Sequence, residues 1–90
     1  MQVRIPGLLR SYTHGAETVG VEARSAAPTL ADALADLDAR FPGFRFRIID
    51  EQGAIRPHIK IFVDGVLARD LATVARPDAE LMIVGALSGG

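Results

Sequence analysis

The sequence contains no cysteine, and this absence removes several kinds of chemistry at once. Disulfide bonds, thiolate catalysis and zinc sites built on cysteine are all excluded. Histidine is scarce as well, since only His14 and His58 occur. We predict that both lie at the surface, His14 in a polar loop and His58 at the start of a strand. We therefore expect no metal site.

Long hydrophobic runs and an excess of charge of one sign are also missing. No segment reaches the roughly 18 consecutive apolar residues of a membrane-spanning helix, and residues 1–6 do not have the pattern of a signal peptide. Ten Lys and Arg residues against eleven Asp and Glu residues give a formal net charge of −1. This balance argues against nucleic acid or an anionic membrane as a partner. We expect a cytoplasmic protein.

Recognisable catalytic motifs are the third absence. The sequence has neither the Gly-x-Ser-x-Gly motif of serine hydrolases nor a glycine-rich phosphate-binding loop. Asp50 and Glu51 are adjacent, and we interpret them as part of a turn and not as a pair of catalytic carboxylates. We therefore expect no catalytic residues and predict that the protein is not an enzyme.

What is present is the composition of one α+β domain. The chain has 90 residues, of which 49% are hydrophobic and 23% are charged, and this is enough for one modest core. Alternating apolar residues and β-branched clusters predict strands at residues 2–5, 18–23, 58–63, 66–68 and 81–84. The first and last strands are candidates for a parallel pair at the centre of a mixed sheet. Two weaker patterns suggest a short strand within residues 46–49 and a helical turn within residues 70–74.

One helix is predicted with particular clarity. Thr29 suits the N-cap position, and Asp32 follows three residues later as in a capping box. The apolar residues then fall in one stripe at helical spacing: Leu30, Leu34, Leu37 and Phe41. The Pro-Gly pair at residues 42–43 ends the helix. We expect this helix to cover one face of the sheet in a two-layer domain.

Strand alternation predicts an exposed apolar patch on the other face of the sheet. We expect Leu81 and Ile83 to face the core. Met82 and Val84 then point outward, and so does Phe62 on its own strand. We call Phe62, Met82 and Val84 the docking patch, because an exposed apolar cluster often marks a protein interface. The alternatives are that a loop covers these three residues or that they pair in a homodimer.

The end of the sequence is unusual. We expect residues 85–90, Gly-Ala-Leu-Ser-Gly-Gly, to form a flexible tail beyond a domain of residues 1–84. A Gly-Gly end has a chance probability of about 0.5% at average glycine usage, although a frayed terminus is the alternative. Because glycine has no side chain, such a tail can extend through a narrow channel. The carboxylate of Gly90 is inert until a partner activates it, most simply as an acyl-adenylate.

These features together resemble the ubiquitin-like β-grasp sulfur carriers, which include the small subunit of molybdopterin synthase and the sulfur carriers of thiamine and cysteine synthesis. The resemblance covers nearly the whole chain, and its specific element is the Gly89-Gly90 end. Further similarity lies in residues 29–34, 57–65, 71–73 and 78 and in the final strand. The resemblance implies a β-grasp fold, with a mixed sheet of four to five strands and one main helix packed on one face. Many members carry proline where Gly85 stands and alanine where Ser88 stands, and Gly85 should leave this tail looser.

The resemblance also implies a chemistry for the tail. Gly90 is the expected site of adenylation and thiocarboxylate formation, and Leu87, Ser88 and Gly89 thread into the partner. The carrier itself binds no cofactor, because an adenylyltransferase related to ubiquitin-activating enzymes uses ATP-Mg. A sulfide or persulfide source displaces AMP, and a sulfur-accepting synthase takes the sulfur. The added length of residues 44–57 favours molybdopterin-type or cysteine-type carriers over thiamine-type ones.

Two other functions are compatible with the same residues. One is a β-grasp module for protein–protein interaction, in which the Gly89-Gly90 end is incidental. The other is a ubiquitin-like modifier that is joined to lysines through an isopeptide bond, without sulfur transfer.

Overall fold

A five-stranded mixed sheet carries one long helix on one of its faces. The computed structural model describes residues 1–22 and 24–85. The strands are β1 (Gln2–Arg4), β2 (Thr18–Gly20), β3 (Ile59–Val63), β4 (Val66–Ala68) and β5 (Glu80–Gly85), and the helices are α1 (Leu30–Arg40) and α2 (Phe44–Ile48). A 3₁₀ turn at Gly7–Leu9 follows β1. The predicted α+β class with one main helix is confirmed.

The strand order is β2-β1-β5-β3-β4, which places the last strand of the sequence at the centre of the sheet. β1 and β5 are parallel, with Val3 opposite Leu81 and Arg4 opposite Met82. The other neighbouring strands are antiparallel. The predicted central parallel pair is therefore confirmed. Because β1 and β5 are parallel, their carboxyl ends lie at the same edge of the sheet.

Helix α1 begins and packs as its sequence predicts. The Asp32 backbone N–H donates to Thr29 Oγ1 at 3.3 Å, and the Thr29 N–H donates to the Asp32 carboxylate at 2.8 Å. These two bonds complete a capping box. The predicted stripe faces the core, where Leu37 is fully buried and Phe41, the C-cap residue, is half-buried. The inward-facing strand residues complete this core: Val3, Val19, Ile59, Ile61, Leu81 and Ile83.

The predicted short strand at residues 46–49 is wrong, because Phe44–Ile48 forms helix α2. Phe44 and Ile48 are both fully buried and lie four residues apart, which places them on the same side of one helical turn. Gly43 has a φ of 94°, a conformation that favours glycine, and it joins α1 to α2 in a sharp turn. The apolar–Arg alternation of this segment has the period of a strand, but the packing of Phe44 and Ile48 overrides it.

Other element boundaries differ in smaller ways. β2 ends at Gly20, three residues before the predicted end of the strand. Residues 70–74 form a hydrogen-bonded turn and no helix: the Thr73 N–H donates to the Asp70 carbonyl, and Val74 bridges to Thr29. Gly85, placed at the start of the tail by the sequence, is the last residue of β5. Within the described ranges, no helix combines the length and the apolar character that crossing a membrane requires.

Candidate functional site

Strand β5 presents alternate residues to the core and to the outer face of the sheet. Leu81 and Ile83 are each 3% exposed, whereas Met82 is 38% exposed and Val84 is 39% exposed. This alternation agrees with the predicted orientation of all four side chains. β5 therefore carries two apolar side chains on the face of the sheet that α1 leaves uncovered.

The docking patch is assembled across two antiparallel strands. Phe62 on β3 lies directly opposite Met82 on β5. Directly opposite residues of an antiparallel pair share one face, with Cβ atoms about 5 Å apart. Val84 lies two residues further along β5, opposite Lys60. Phe62 is half-buried and lines a shallow hollow together with Met82 and Glu80.

Charged side chains border this apolar patch. Arg4 lies next to Met82 on the β1 side and forms a 3.9 Å ion pair with Glu80. The exposed Lys60 lies next to Val84 on the β3 side. An apolar centre with a charged border is the usual arrangement of a protein–protein interface. The geometry suits a protein partner that approaches the open face of the sheet.

The point where β5 ends is covered by a residue that the sequence did not single out. A Cβ atom added to Gly85 would lie 2.6 Å from Leu8 Cδ2 and 3.4 Å from Ile59 Cδ1. Leu8 is 39% exposed and belongs to the 3₁₀ turn after β1. The turn reaches Gly85 because β1 and β5 run in parallel. Residues 7–15 have no apolar periodicity, so their pattern does not indicate this contact.

The tail residues proposed to carry the chemistry are Leu87, Ser88, Gly89 and Gly90. They lie outside the described residues. The expected flexibility of this segment therefore stays a prediction. The structure describes the strand from which the tail continues and the surface beside that strand. The role of Gly90 and the threading of its neighbours stay predictions.

The remaining polar candidates are His14, His58 and Asp50. His14 and His58 are both exposed, and the His14 ring lies 5.8 Å from the ring of Phe41. In residues 1–22 and 24–85, no three His, Asp or Glu side chains are grouped so that they could hold a metal ion. Asp50 accepts hydrogen bonds from the backbone N–H groups of Gln52 and Ala54. Asp50 therefore belongs to a turn, as the sequence indicated.

The Asp50 turn also changes the acidity of its carboxyl group. The hydrogen bond from the Ala54 N–H, supported by the Gln52 N–H and the positive charge of Arg56, holds the pKa of Asp50 below its ordinary value of 3.8. Hydrogen bonds to the ionised form favour that form. Asp50 is thus a fixed anion at neutral pH that stabilises its own turn.

Comparison with known proteins identifies the fold. No protein-family model matches the chain, and no curated protein matches it. Among solved structures, Mycobacterium tuberculosis CysO, described as an antigen, is 26% identical, with a TM-score of 0.84 over 96% of this chain and 98% of that chain. A chain of the Amycolatopsis orientalis BexX/CysO complex is 27% identical, with a TM-score of 0.82 over 99% and 98% of the two chains. SAMP1 from Haloferax volcanii is 27% identical, with a TM-score of 0.83 over 100% and 98%.

The sheet order, the single long helix and these full-length matches define a ubiquitin-like β-grasp protein. The structural neighbours are CysO, SAMP1 and related ubiquitin-like sulfur carriers, so the resemblance stated from the sequence is confirmed. They are small carrier or modifier proteins and not enzymes, which fits a protein without catalytic activity of its own. The comparisons support a ubiquitin-like sulfur carrier or modifier.

Proposed function

We propose that this protein is a sulfur carrier whose working group is the carboxylate of Gly90. The main observation that supports the proposal is the path of β5 through the sheet. This strand runs through the centre of the sheet, exposes Met82 and Val84 beside Phe62, and leads at Gly85 into the segment that ends in Gly89-Gly90. One partner can therefore bind the docking patch and receive the tail at the same time.

The reach of the tail is compatible with this arrangement. Five residues follow Gly85, and five residues span at most about 17 Å when fully extended. The docking patch lies on β5 itself and on its neighbour in the sheet, β3. A partner bound there needs an active site within this distance of Gly85, and the patch would hold the tail in register with it.

The proposed reaction has two steps on Gly90. In the first, a carboxylate oxygen attacks the α-phosphorus of ATP in a partner adenylyltransferase, and pyrophosphate leaves. In the second, sulfide attacks the acyl-adenylate carbonyl, and AMP leaves to give the thiocarboxylate. With a persulfide donor, the attack gives an acyl disulfide, from which a thiol of the partner releases the thiocarboxylate. The carrier supplies no acid or base, since adenylation provides the leaving group.

The thiocarboxylate then serves as a sulfur donor to a second partner. We propose a synthase of cofactor biosynthesis of the molybdopterin type, or of cysteine biosynthesis, as the acceptor. The similarity to CysO, and to a chain of a complex that contains CysO, supports a carrier that works with partner enzymes. The same patch and tail would serve both partners in turn.

Modification of other proteins is a second candidate function, favoured by the similarity to SAMP1, a small archaeal modifier protein. In that case an amine, in place of sulfide, attacks the activated Gly90 carbonyl and forms an isopeptide bond. The two functions share the first step and differ in the nucleophile. The products distinguish them.

Intact-mass spectrometry tests the sulfur-carrier proposal. The protein is incubated with a candidate adenylyltransferase, ATP-Mg and sulfide, and exchange of one oxygen for sulfur adds about 16 Da. A variant without Gly89 and Gly90 is the matched control and should gain no mass. Transfer to lysines, without any gain of 16 Da, would replace the sulfur-carrier proposal with the modifier function. Retention of partner binding and cellular activity by the truncated variant would leave the interaction module as the function.

The search for conjugates must allow for the sequence of the tail. No Lys or Arg directly precedes Gly89-Gly90, and Arg76 is followed by Pro77. Trypsin therefore leaves a long remnant that begins at Asp70 and not a Gly-Gly remnant. Cleavage after Leu87 with chymotrypsin leaves Ser-Gly-Gly on a modified lysine, and this is the mass to search for.

A further inference from the structure

A second group of surface residues, some exposed and some half-buried, lies in the helical layer, away from the docking patch. Three arginine–aromatic pairs occur in the described part of the chain: Arg40 with Phe41, Arg47 with Tyr12, and Arg56 with Phe46. Each guanidinium group lies within about 6 Å of the ring centre, which is the range of a cation–π contact. All three pairs contain a residue of the segment from the end of α1 to Arg56.

Helix α2 directs the central part of this group outward. Because Phe44 and Ile48 fill the inward side of its single turn, the three residues between them face away from the core. Phe46, in the middle of the three, is 57% exposed. Arg45 precedes it and Arg47 follows it. We call Tyr12, Arg45, Phe46, Arg47 and Arg56 the arginine–aromatic surface.

Two of its guanidinium groups are held in place by neutral partners. The Arg56 guanidinium lies 4.7 Å from the centre of the Phe46 ring, and its Nε–H donates to the Phe46 carbonyl at 2.8 Å. The Arg47 guanidinium lies 5.2 Å from the centre of the Tyr12 ring, and its Nε–H donates to the Tyr12 hydroxyl. Tyr12 in turn lies against Gly43. A stacked guanidinium keeps its remaining N–H groups available for a carboxylate or phosphate.

These arginines differ from most others in their pairing. Five arginines form ion pairs within 4.0 Å of a carboxylate: Arg4, Arg10, Arg24, Arg40 and Arg76. Among the described residues, no carboxylate lies that close to Arg45, Arg47 or Arg56. The arginine–aromatic surface therefore carries three arginines without a close carboxylate partner among the described residues, in a protein whose formal net charge is −1.

We propose that the arginine–aromatic surface binds an acidic segment of a protein partner, with carboxylates on the arginines and an apolar side chain on Phe46. Charge complementarity and the ordered guanidinium groups select carboxylates. The exposed ring between them selects an apolar residue flanked by acidic ones. A short acidic segment also suits the extent of the surface, since its three arginines lie within residues 45–56, whereas a continuous phosphate backbone is bound through many contacts.

This surface is separate from the one that the proposed function uses. Phe62, Met82 and Val84 lie on the open face of the sheet, whereas α2 packs with α1 against the opposite face. An acidic partner bound at Arg47 and Arg56 leaves the docking patch free. The inference therefore stands independently of the chemistry assigned to Gly90.

The test is an NMR titration of the full ¹⁵N-labelled chain at low ionic strength. The probe is a blocked synthetic peptide in which two glutamates stand on each side of a leucine. We expect shifts of the side-chain Nε–H signals of Arg47 and Arg56 and of the backbone amides of α2. Replacing Arg47 and Arg56 together by Gln should weaken binding about five- to tenfold, as expected for two exposed ion pairs.

The matched control is Arg69→Gln, which removes one exposed arginine far along the sequence from α2. We expect binding to weaken less than about twofold in this variant, because only general charge attraction is reduced. An equal loss in Arg69→Gln and in the double variant would overturn the proposal, as would the absence of shifts in α2. An oligouridylate that binds the same residues more tightly than the peptide would also overturn it, in favour of a nucleic-acid surface.

Discussion

The side chain of Leu8 lies over the α-carbon of Gly85, so closely that a Cβ atom at residue 85 would be 2.6 Å from Leu8 Cδ2. Leu8 follows the first strand and Gly85 ends the last one, so the contact joins the two ends of the described chain. It lies at the last residue of β5. A side chain at residue 85 would therefore displace the exposed end of the Leu8 side chain.

The effect of Gly85→Ala on the free energy of unfolding should change sign when Leu8 is also replaced by Ala. In the native protein we expect Gly85→Ala to lower the free energy of unfolding by about 0.5–1.5 kcal/mol, because Leu8 must leave its preferred rotamer. With Leu8 replaced by Ala, the same substitution should raise it by about 0.4–1 kcal/mol, through loss of chain entropy in the unfolded state. Urea unfolding of the unmodified protein, the two single variants and the double variant measures the coupling between Leu8 and Gly85. Equal effects of Gly85→Ala in both backgrounds would mean that Leu8 does not constrain residue 85.

Substitution of Phe62 by Arg should weaken binding to the adenylyltransferase that accepts this protein. A central apolar residue of an interface commonly contributes enough that its loss weakens binding about tenfold or more. The fold should be retained, because Phe62 points away from the core and is only half-buried. Val66→Arg is the matched control, since Val66 is 70% exposed on the adjacent strand β4 and lies outside the docking patch.

Calorimetric titration of the adenylyltransferase with each variant measures this difference, and circular dichroism reports the fold. We expect Val66→Arg to bind like the unmodified protein. If both variants bound equally well, or lost affinity equally, the docking patch would have no special role in the recognition of this partner.

Removal of the α1 N-cap should destabilise the protein by a predictable amount. Thr29→Ala deletes the hydroxyl that accepts the Asp32 N–H, and loss of such a cap costs about 1 kcal/mol. Ser25→Ala, in the exposed loop before the helix, should change the unfolding free energy by less than about 0.5 kcal/mol. Chemical denaturation measures both. A Thr29→Ala protein as stable as the Ser25→Ala protein would show that the capping box contributes nothing.

The Asp50 turn predicts a pH dependence at the acidic end of the range. Since the folded-state pKa of Asp50 lies below 3.8, its contribution to stability is fully present above that pH. The contribution is lost as the pH falls from 3.8 through the folded-state pKa, because protonation removes the acceptor of the Ala54 and Gln52 N–H groups. NMR titration of the Asp50 carboxyl carbon measures the pKa directly.

Asp50→Asn provides the control for this prediction. Asn retains a side-chain acceptor but does not titrate, so the variant should lose less stability between pH 4 and pH 2 than the unmodified protein. A carboxyl pKa of Asp50 at or above 3.8 would contradict the effect of the turn.

Several features of the molecule could be read from short stretches of sequence. The helix with its Thr29–Asp32 cap, the strands at residues 58–63 and 66–68 and the alternation along residues 81–84 are local patterns, and the structure agrees with each. Alternation also assigned Met82 and Val84 to the outer face. Such patterns are informative because a helix or strand with one buried face has apolar residues at regular spacing.

Other features required contacts between distant residues. Helix α2 depends on the burial of Phe44 and Ile48 in a core that β1, β5 and α1 also form. Arg47 stacks on Tyr12 across 35 positions of sequence. The sequence suggested a strand within residues 46–49, since the local pattern was the only information available there.

The sequence by itself determined the α+β class, the outward side chains of the last strand and the Gly-Gly end, because the patterns that indicate them lie within short stretches of residues. Only the tertiary structure decided that Leu8 covers Gly85 and that arginines of α2 gather around an exposed phenylalanine. Both arrangements arise where elements far apart in sequence meet. The parallel pairing of β1 with β5 creates the first, and the packing of α2 against the core creates the second.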